Sequence, residues 1–391
     1  MRIALGVGAG IAAYKASELA SRLTQDGHEV FVLLTPAACE FVTPLTFSAL
    51  THRPVAVRVT DEPLGPLSHV TLAHTAELLL IAPLTADLMA RLANGRADDM
   101  LTAVYLGARC PVLAAPAMES EMWEHPAVRR HRDRLLADGV RLIGPASGRL
   151  ASGAVGAGRM ADPADIREAV AEVSTPPTLR GRKVLITAGP TREFFDPVRC
   201  LTNPSTGAMG VALARMARRR GAAVVLVHGP LAVPLPAGVE TAAVVTALEM
   251  EAAVMERADD QDVLIASAAV SDWRPRVRLA EKQKKGALAA DAWALEPNPD
   301  ILAALGRRRR AGQVLVGFAA ETDDVVRHGL EKLEAKRVDL LVANRVGWAQ
   351  GFGAGPVEGW LLWAGGRRDV LAADKQAVAT QVLDAVETLL R

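Results

Sequence analysis

Residues 3–13, Ile3-Ala4-Leu5-Gly6-Val7-Gly8-Ala9-Gly10-Ile11-Ala12-Ala13, decide the reading of the fold. The apolar run Ile3 to Val7 has the pattern of a buried strand, Gly8-Ala9-Gly10 makes a turn without bulky side chains, and a helix is expected from Ile11 to about Gln25, stopped by Gly27. Glu29 to Leu34 forms the next strand. Strand, turn, helix, strand is a βαβ unit, and its right-handed crossover makes the two strands parallel. Further strands at Leu78–Ala82 and Val112–Ala115 each run into a proline and lead toward a helix. That alternation predicts a doubly wound α/β fold.

The theme then starts again. Ser174-Thr175-Pro176-Pro177-Thr178 has the chemistry of a linker, and Lys183–Thr187 opens a fresh strand. A loop from Ala188 to Pro204 leads into a helix from about Thr206 to Arg220, Gly221 ends it, and Ala223–Val227 follows as a strand. Val263–Ser267, Val314–Phe318 and Leu340–Ala343 continue the alternation, and Gly359–Trp363 suits part of a β-hairpin. The 391 residues exceed the ~100–200 of a typical domain. We therefore expect two three-layer α/β domains, residues 1–174 and 182–391, joined by a linker at 175–181.

Composition narrows the function. Lys+Arg at 45 against Asp+Glu at 44 leaves no global field for nucleic acid or a membrane surface. The basic runs Arg218–Arg220 and Arg307–Arg310 precede Gly221 and Gly312, where cations complement a helix C-terminus, and both are expected as solvated helix ends. Cys39, Cys110 and Cys200 are odd in number and widely spaced, which suggests neither a disulfide framework nor a zinc site and fits a reducing cytoplasm. No signal peptide is readable at the start, and no apolar stretch approaches the ~20 residues that span a bilayer. A soluble cytoplasmic protein is expected.

Gly8-Ala9-Gly10-Ile11-Ala12-Ala13 approximates GxGxxA between a strand and a helix, where backbone N–H groups and the helix dipole receive an anion. A dinucleotide site also needs an acid at the end of the second strand for the ribose hydroxyls, and Leu34-Thr35-Pro36 stands there. This argues against an NAD-dependent oxidoreductase and for a phosphorylated mononucleotide or flavin. The same glycines would also serve a bare tight turn.

Gly10-Ile11-Ala12-Ala13-Tyr14-Lys15, His69, Ala82-Pro83-Leu84-Thr85-Ala86-Asp87, Pro116-Ala117-Met118 with Met122-Trp123, and Gly158-Arg159-Met160 together resemble the flavoprotein cysteine decarboxylases. The second half is similar to phosphopantothenate–cysteine ligases through Thr187-Ala188-Gly189-Pro190-Thr191-Arg192-Glu193, Asp196-Pro197-Val198-Arg199, Asn203, Ala268-Ala269-Val270 with Asp272, Asn298-Pro299-Asp300-Ile301 and Gly317-Phe318-Ala319-Ala320-Glu321-Thr322. In this order the chain resembles, end to end, the bifunctional decarboxylase/ligase family of coenzyme A synthesis. The resemblance implies a flavodoxin-like FMN domain, then a Rossmann-like ligase domain. It further implies homo-oligomers and small-molecule substrates: 4'-phosphopantothenate, L-cysteine, CTP and phosphopantothenoylcysteine.

For the ligase half, the resemblance implies that CTP activates the phosphopantothenate carboxylate as an acyl-cytidylate, which the cysteine amine attacks. A carboxylate meeting a triphosphate needs cations, Mg²⁺ among them, to offset repulsion. No metal ligands are readable. The family positions for the nucleotide are Ala266, Ser267, Ala268, Asp272, Lys282, Pro299, Asp300, Ile301, Leu302, Phe318, Lys332 and Lys336. Lys332 and Lys336 stand four apart, so one helical face presents both. Asn203 matches the residue that handles the acyl-cytidylate, and Arg199 shares its loop. Ala208 replaces a lysine usual in the family, which removes one phosphate contact.

For the first half, the resemblance assigns FMN to Gly10, Ile11, Thr35, Thr85 and Ala86, and makes His69 the base. Two positions depart from the family. Glu119 stands where an asparagine bonds the substrate carboxylate, and Ser152 where a cysteine serves the reductive step. In one reading the changes compensate, a neutral Glu119 binding substrate and supplying the missing proton. In the other, decarboxylation is impaired and the domain survives as a flavin-binding scaffold.

Overall fold

The computed structural model describes residues 1–61, 65, 68–282, 294–347 and 357–391. It divides into two compact units, Met1–Thr175 and Pro176–Arg391, each closed around its own sheet.

In the first unit the chain runs β1 (Arg2–Val7), α1 (Ala13–Gln25), β2 (Glu29–Leu34), α2 (Pro44–Thr51), α3 (Ser68–Thr75), β3 (Leu78–Leu84), α4 (Ala86–Ala93), α5 (Met100–Gly107), β4 (Val112–Pro116), α6 (Ser120–Glu124), α7 (Pro126–Ala137), β5 (Arg141–Leu142), β6 (Ala146–Arg149), β7 (Val155–Arg159) and α8 (Pro163–Ser174). Strands β2-β1-β3-β4-β5 form an all-parallel sheet in that order, the 2-1-3-4-5 order of flavodoxin-like folds. Both faces are covered, so the strands are apolar on both sides. Ile3, Leu5 and Val7 pack toward α1, α2 and α8, while Ala4, Leu79 and Ile81 pack toward α3, α4, α5 and α7. The antiparallel pair β6–β7 stands apart as a hairpin.

The second unit runs β8 (Lys183–Ala188), β9 (Arg192–Phe194), β10 (Cys200–Thr202), α9 (Ala208–Arg219), β11 (Ala223–His228), β12 (Glu240–Ala243), α10 (Ala247–Arg257), β13 (Val263–Ala266), β14 (Trp273–Pro275), β15 (Leu295–Pro297), α11 (Ile301–Arg308), β16 (Val314–Glu321), α12 (Val325–Ala335), β17 (Leu340–Arg345), β18 (Val357–Trp363), β19 (Gly366–Ala373) and α13 (Lys375–Leu389). Its sheet order is β12-β11-β8-β13-β16-β17-β18-β19. Counted within the unit, the six parallel strands read 3-2-1-4-5-6, the Rossmann order, and β18–β19 adds an antiparallel hairpin at one edge. Helices α9 and α13 cover one face, and α10, α11 and α12 the other.

Two expectations shift. Helix α1 begins at Ala13, not Ile11, and α9 at Ala208, not Thr206, because Gly10–Ala12 and Ser205–Gly207 are spent on turns. The basic runs are not merely solvated helix ends. Arg220 is only 6% exposed, and its guanidinium donates to Glu387 Oε1 (2.6 Å), Asp384 Oδ1 (2.7 Å) and Thr380 O (3.2 Å), tying the end of α9 to α13. Arg308 pairs with Asp259, Arg309 with Asp339, and Arg310 donates to Gln261 O at 3.2 Å.

Removing Arg220 leaves Glu387 with the Thr178 hydroxyl alone and cuts the tie to Asp384 and Thr380 O on α13. Arg220→Ala is expected to destabilise the second unit by about 2–3 kcal/mol, below the full cost of breaking a buried pair because Asp384 stays solvated. Urea unfolding measures it, and a change below about 0.5 kcal/mol, the size of an ordinary surface substitution, contradicts the assignment.

Candidate functional sites at the carboxyl edges of the sheets

A parallel sheet sends every strand-to-helix loop to one edge, and a crevice opens where the strand order reverses. In the first unit that point lies between β1 and β3. Gly8 N donates to Pro83 O (3.1 Å), and a Cβ on Gly8 would fall 2.6 Å from that oxygen and 3.4 Å from Thr85 Oγ1. A Cβ on Gly10 would lie 3.4 Å from Thr85 Cγ2. Glycine at position 8 thus lets the first turn, with Gly10 and Ile11, lie against the loop carrying Thr85 and Ala86. Neither Ala12 before α1 nor Thr85 before α4 gives its helix a side-chain cap. Two sets of N-terminal amides remain for an anion at this edge. Thr35 follows β2, is buried, and accepts from Ala38 N at 3.2 Å, which anchors the turn after that strand.

Glu119 follows β4 at the start of α6. Ser152 sits at the tip of the β6–β7 hairpin, 33 residues away in the chain, and its hydroxyl donates to Glu119 Oε2 at 2.8 Å. The two positions expected from the sequence to depart from the family pattern are therefore direct partners. His69, near the start of α3, has its Nδ1 buried and, among the described residues, without a hydrogen-bond partner, a state that costs free energy until a ligand or water meets it. Burial pushes the Cys39 and Cys110 thiols up, so neither supplies a reactive thiolate.

In the second unit the order reverses between β8 and β13, and a cleft of about 650 Å³ opens there. It gathers Asn203, Ala266, Ser267, Ala268, Asp272, Pro299, Asp300, Ile301, Leu302, Phe318, Lys332 and Lys336. Arg199 and Lys282 do not line it. Arg199 lies in the β9–β10 loop, its guanidinium 3.7 Å from the buried Asp196, and Lys282 is exposed at the last described residue before 283–293. Asn203 uses both amide hydrogens on Ala269 O (3.1 Å) and Val270 O (3.2 Å), so its Oδ1 is the atom left to meet a ligand.

The cations of the cleft are held by acids. Lys332 lies 2.6 Å from Glu321 at the end of β16, and Lys336 pairs with Asp300. Asp300 also caps α11 by accepting from Ala303 N (2.9 Å). Burial works against its charge, but Lys336, the Ala303 amide and Arg307 hold its carboxyl below the usual range. Across the cleft, Gly207 with φ +77° precedes α9 and has no side chain to cap it, while Gly207 N and Ala208 N donate to the Ser205 and Thr206 hydroxyls at 3.3 and 3.4 Å; a Cβ at Gly207 would meet Leu231 Cδ2 at 2.1 Å. Sequence reasoning missed Asn344 and Lys375, which also line the cleft with Thr187 and Asn298, two motif residues that it gave no site role. Burial lowers the Lys375 ammonium from its ordinary value. The run Ser205-Thr206-Gly207 before a helix was a usable signal; Lys375 carried none.

Residues 1–175 match the family model described as Flavoprotein, and residues 179–390 that of the DNA/pantothenate metabolism flavoprotein C-terminal domain. The coenzyme A biosynthesis bifunctional protein CoaBC of Vibrio vulnificus strain YJ016 is 41% identical over 393 residues, covering 100% of this chain and 98% of that protein. Its namesake from Mycobacterium tuberculosis strain H37Rv is 43% identical over 406 residues (100% and 97%), and that of Bacillus subtilis strain 168 is 42% identical over 398 (99% and 97%).

The β6–β7 hairpin is seated by Gly158, whose Cβ, if present, would lie 2.2 Å from Met118 O at φ +151°. Gly158→Ala should lift the hairpin and break the 2.9 Å bond from Met118 N to Gly158 O. Amide exchange at Met118 should then quicken by roughly tenfold or more; unchanged protection means the hairpin is held otherwise.

Proposed function

Because the chain belongs to the family of bifunctional coenzyme A biosynthesis proteins, we propose that its two edges run consecutive steps of that synthesis. The second unit joins 4'-phosphopantothenate to L-cysteine with CTP, and the first decarboxylates the phosphopantothenoylcysteine to 4'-phosphopantetheine. The observation that carries the ligase step is the cleft at the β8/β13 reversal, which collects every residue expected for the nucleotide except Lys282.

In that cleft the triphosphate takes Lys332 and Lys336 from Glu321 and Asp300, so binding is an exchange of anions on cations already in place. Mg²⁺ travels with the triphosphate. Among the described residues no group of three or more His, Cys, Asp or Glu is placed to hold a metal alone. The start of α9 with its Ser205 and Thr206 hydroxyls, and Lys375, all on the side of the sheet opposite α12, receive the second anionic substrate. Its carboxylate is thereby turned toward the nucleotide, with Asn203 Oδ1 beside the point of reaction.

The first edge fits a phosphorylated flavin on two counts: the close-packed turn of Gly8 beside Thr85 at two uncapped helix starts, and the unsatisfied Nδ1 of His69. Gly10, Ile11, Thr35, Thr85 and Ala86 would hold FMN. When bound, it supplies reversible two-electron oxidation of the substrate's cysteinyl carbon. His69 takes the thiol proton. Ile11 (63% exposed), Tyr14, Phe41 and Leu45 (77%) leave an apolar surface that favours a homo-oligomer. No described helix is long and apolar enough to cross a membrane, and the three thiols are unpaired, which suits the cytoplasm.

The test is pyrophosphate release by the purified chain. Release with phosphopantothenate and CTP, but not ATP, is expected; coupling with neither nucleotide defeats the proposal. Lys332→Ala should raise the KM for the nucleotide by about tenfold or more, the scale of a lost charged hydrogen bond. Lys375→Ala should raise that for phosphopantothenate alone. If both variants weaken the same substrate, the two-sided arrangement is wrong.

A further inference from the structure

We propose that the proton which completes decarboxylation comes from the Glu119 carboxyl, and that Ser152 is the positioning residue that aims it; this rests on the decarboxylase reading of the first unit.

The hairpin is built to bring these groups together. Gly156 and Gly158 let β7 press on the segment after β4, since a Cβ on either would lie 2.3 Å from Ser120 Oγ or 2.2 Å from Met118 O. Ser120 Oγ donates to Ala157 O (2.7 Å) and Met118 N to Gly158 O (2.9 Å). At the tip, Ser152 Oγ accepts from Ala154 N (3.3 Å) and donates to Glu119 Oε2 (2.8 Å). The serine's only proton is thus committed to the carboxylate, and an alcohol is a weak acid besides. Glu119 is the group at this corner that can carry a transferable proton.

The substrate brings its own carboxylate to the same edge. Two carboxylates sharing a site do not both stay ionised, so arrival of the substrate loads Glu119 with a proton from solvent. The other charged groups of the packed elements are Arg149 and Arg159 on the hairpin, the latter held by Asp162 at 2.7 Å, and Glu121 and Glu124 on α6. Once the cysteinyl carbon has been oxidised to a thioaldehyde, loss of carbon dioxide breaks the carbon–carboxylate bond and leaves its electron pair in an enethiolate. Glu119 then gives its proton to the carbon that lost carbon dioxide, restoring a thioaldehyde. That thioaldehyde takes back the hydride removed from the same substrate, the thiolate so formed regains the proton that His69 took, and Glu119 is again a carboxylate. No outside oxidant or reductant is consumed, and one solvent proton replaces the departed carbon dioxide.

The holoenzyme is incubated with phosphopantothenoylcysteine, and carbon dioxide and product mass are followed together. Wild type should yield the saturated aminoethanethiol. In a single turnover with enzyme in excess, Glu119→Gln should still release carbon dioxide but yield the enethiol, two hydrogens lighter, in at least roughly tenfold excess over the saturated product. Glu119→Asp and Ser152→Ala should slow turnover yet keep the saturated product. A second readout is calorimetry with the serine-derived analogue, which cannot be oxidised, in buffers of different ionisation heat. Wild type should take up about one proton on binding, as a shared carboxylate pair requires, and Glu119→Gln none. Saturated product from Glu119→Gln, arrest at the enethiol in Ser152→Ala alone, or no proton uptake by wild type overturns the proposal. Carbon dioxide with only enethiol from wild type overturns the proton donor and spares the decarboxylase; no carbon dioxide overturns the decarboxylase reading itself.

Discussion

Backbone amides at the starts of helices need partners, and the way each start is satisfied organises this molecule. In a parallel α/β sheet these starts collect at one edge. Some are closed by their own side chains: Asp99 caps α5 in a box with Thr102, Thr246 caps α10 in a box with Glu249, and Asp374 caps α13. Others are left to something else. Helices α1 and α4 in the first unit and α9 in the second get no cap from the residue before them and stand at or beside the point where strand order reverses; α2, α6, α8 and α12 also lack a side-chain cap but start elsewhere. At the two reversals these starts turn the positive ends of their helices toward the edge where a phosphorylated ligand is expected.

The second edge answers the same constraint with cations too. A lysine alone in a cleft would be mobile and solvated, whereas Lys332 and Lys336 are fixed by Glu321 and Asp300 before any ligand arrives. Asp300 serves both as helix cap and as counter-ion, so one residue ties the start of α11 to the far end of α12. Preorganisation of this kind lowers the ordering entropy of binding and sets an electrostatic threshold that only a multiply charged ligand passes easily.

Much of this was legible in the sequence because buried parallel strands are continuous apolar runs. The strands β1, β2, β8 and β13 fall within a residue of the expected positions. Helix starts were harder. Ile11 and Ala12 fit a helical pattern by type but are used in the turn before α1, whose preceding Ala12 leaves no side-chain signature, and Thr206 and Gly207 likewise precede α9. Arg220 looked like one of three solvated arginines; its burial depends on α13, packed against α9 from some 160 residues further along. Lys375 was invisible for the same reason, reaching the cleft only through that packing. Glu119 and Ser152 stood out as two departures from a family pattern, but their contact required the hairpin to fold back over the end of β4.

Each buried apolar cluster draws its residues from one unit only. The cores are therefore separate accounts of hydrophobic free energy, and a residue exchanged at one edge leaves the packing of the other untouched. Such a chain can drift unevenly. One site can be rewritten residue by residue while the core beneath the other stays as packed, so the single gene that encodes both can run on two separate evolutionary clocks.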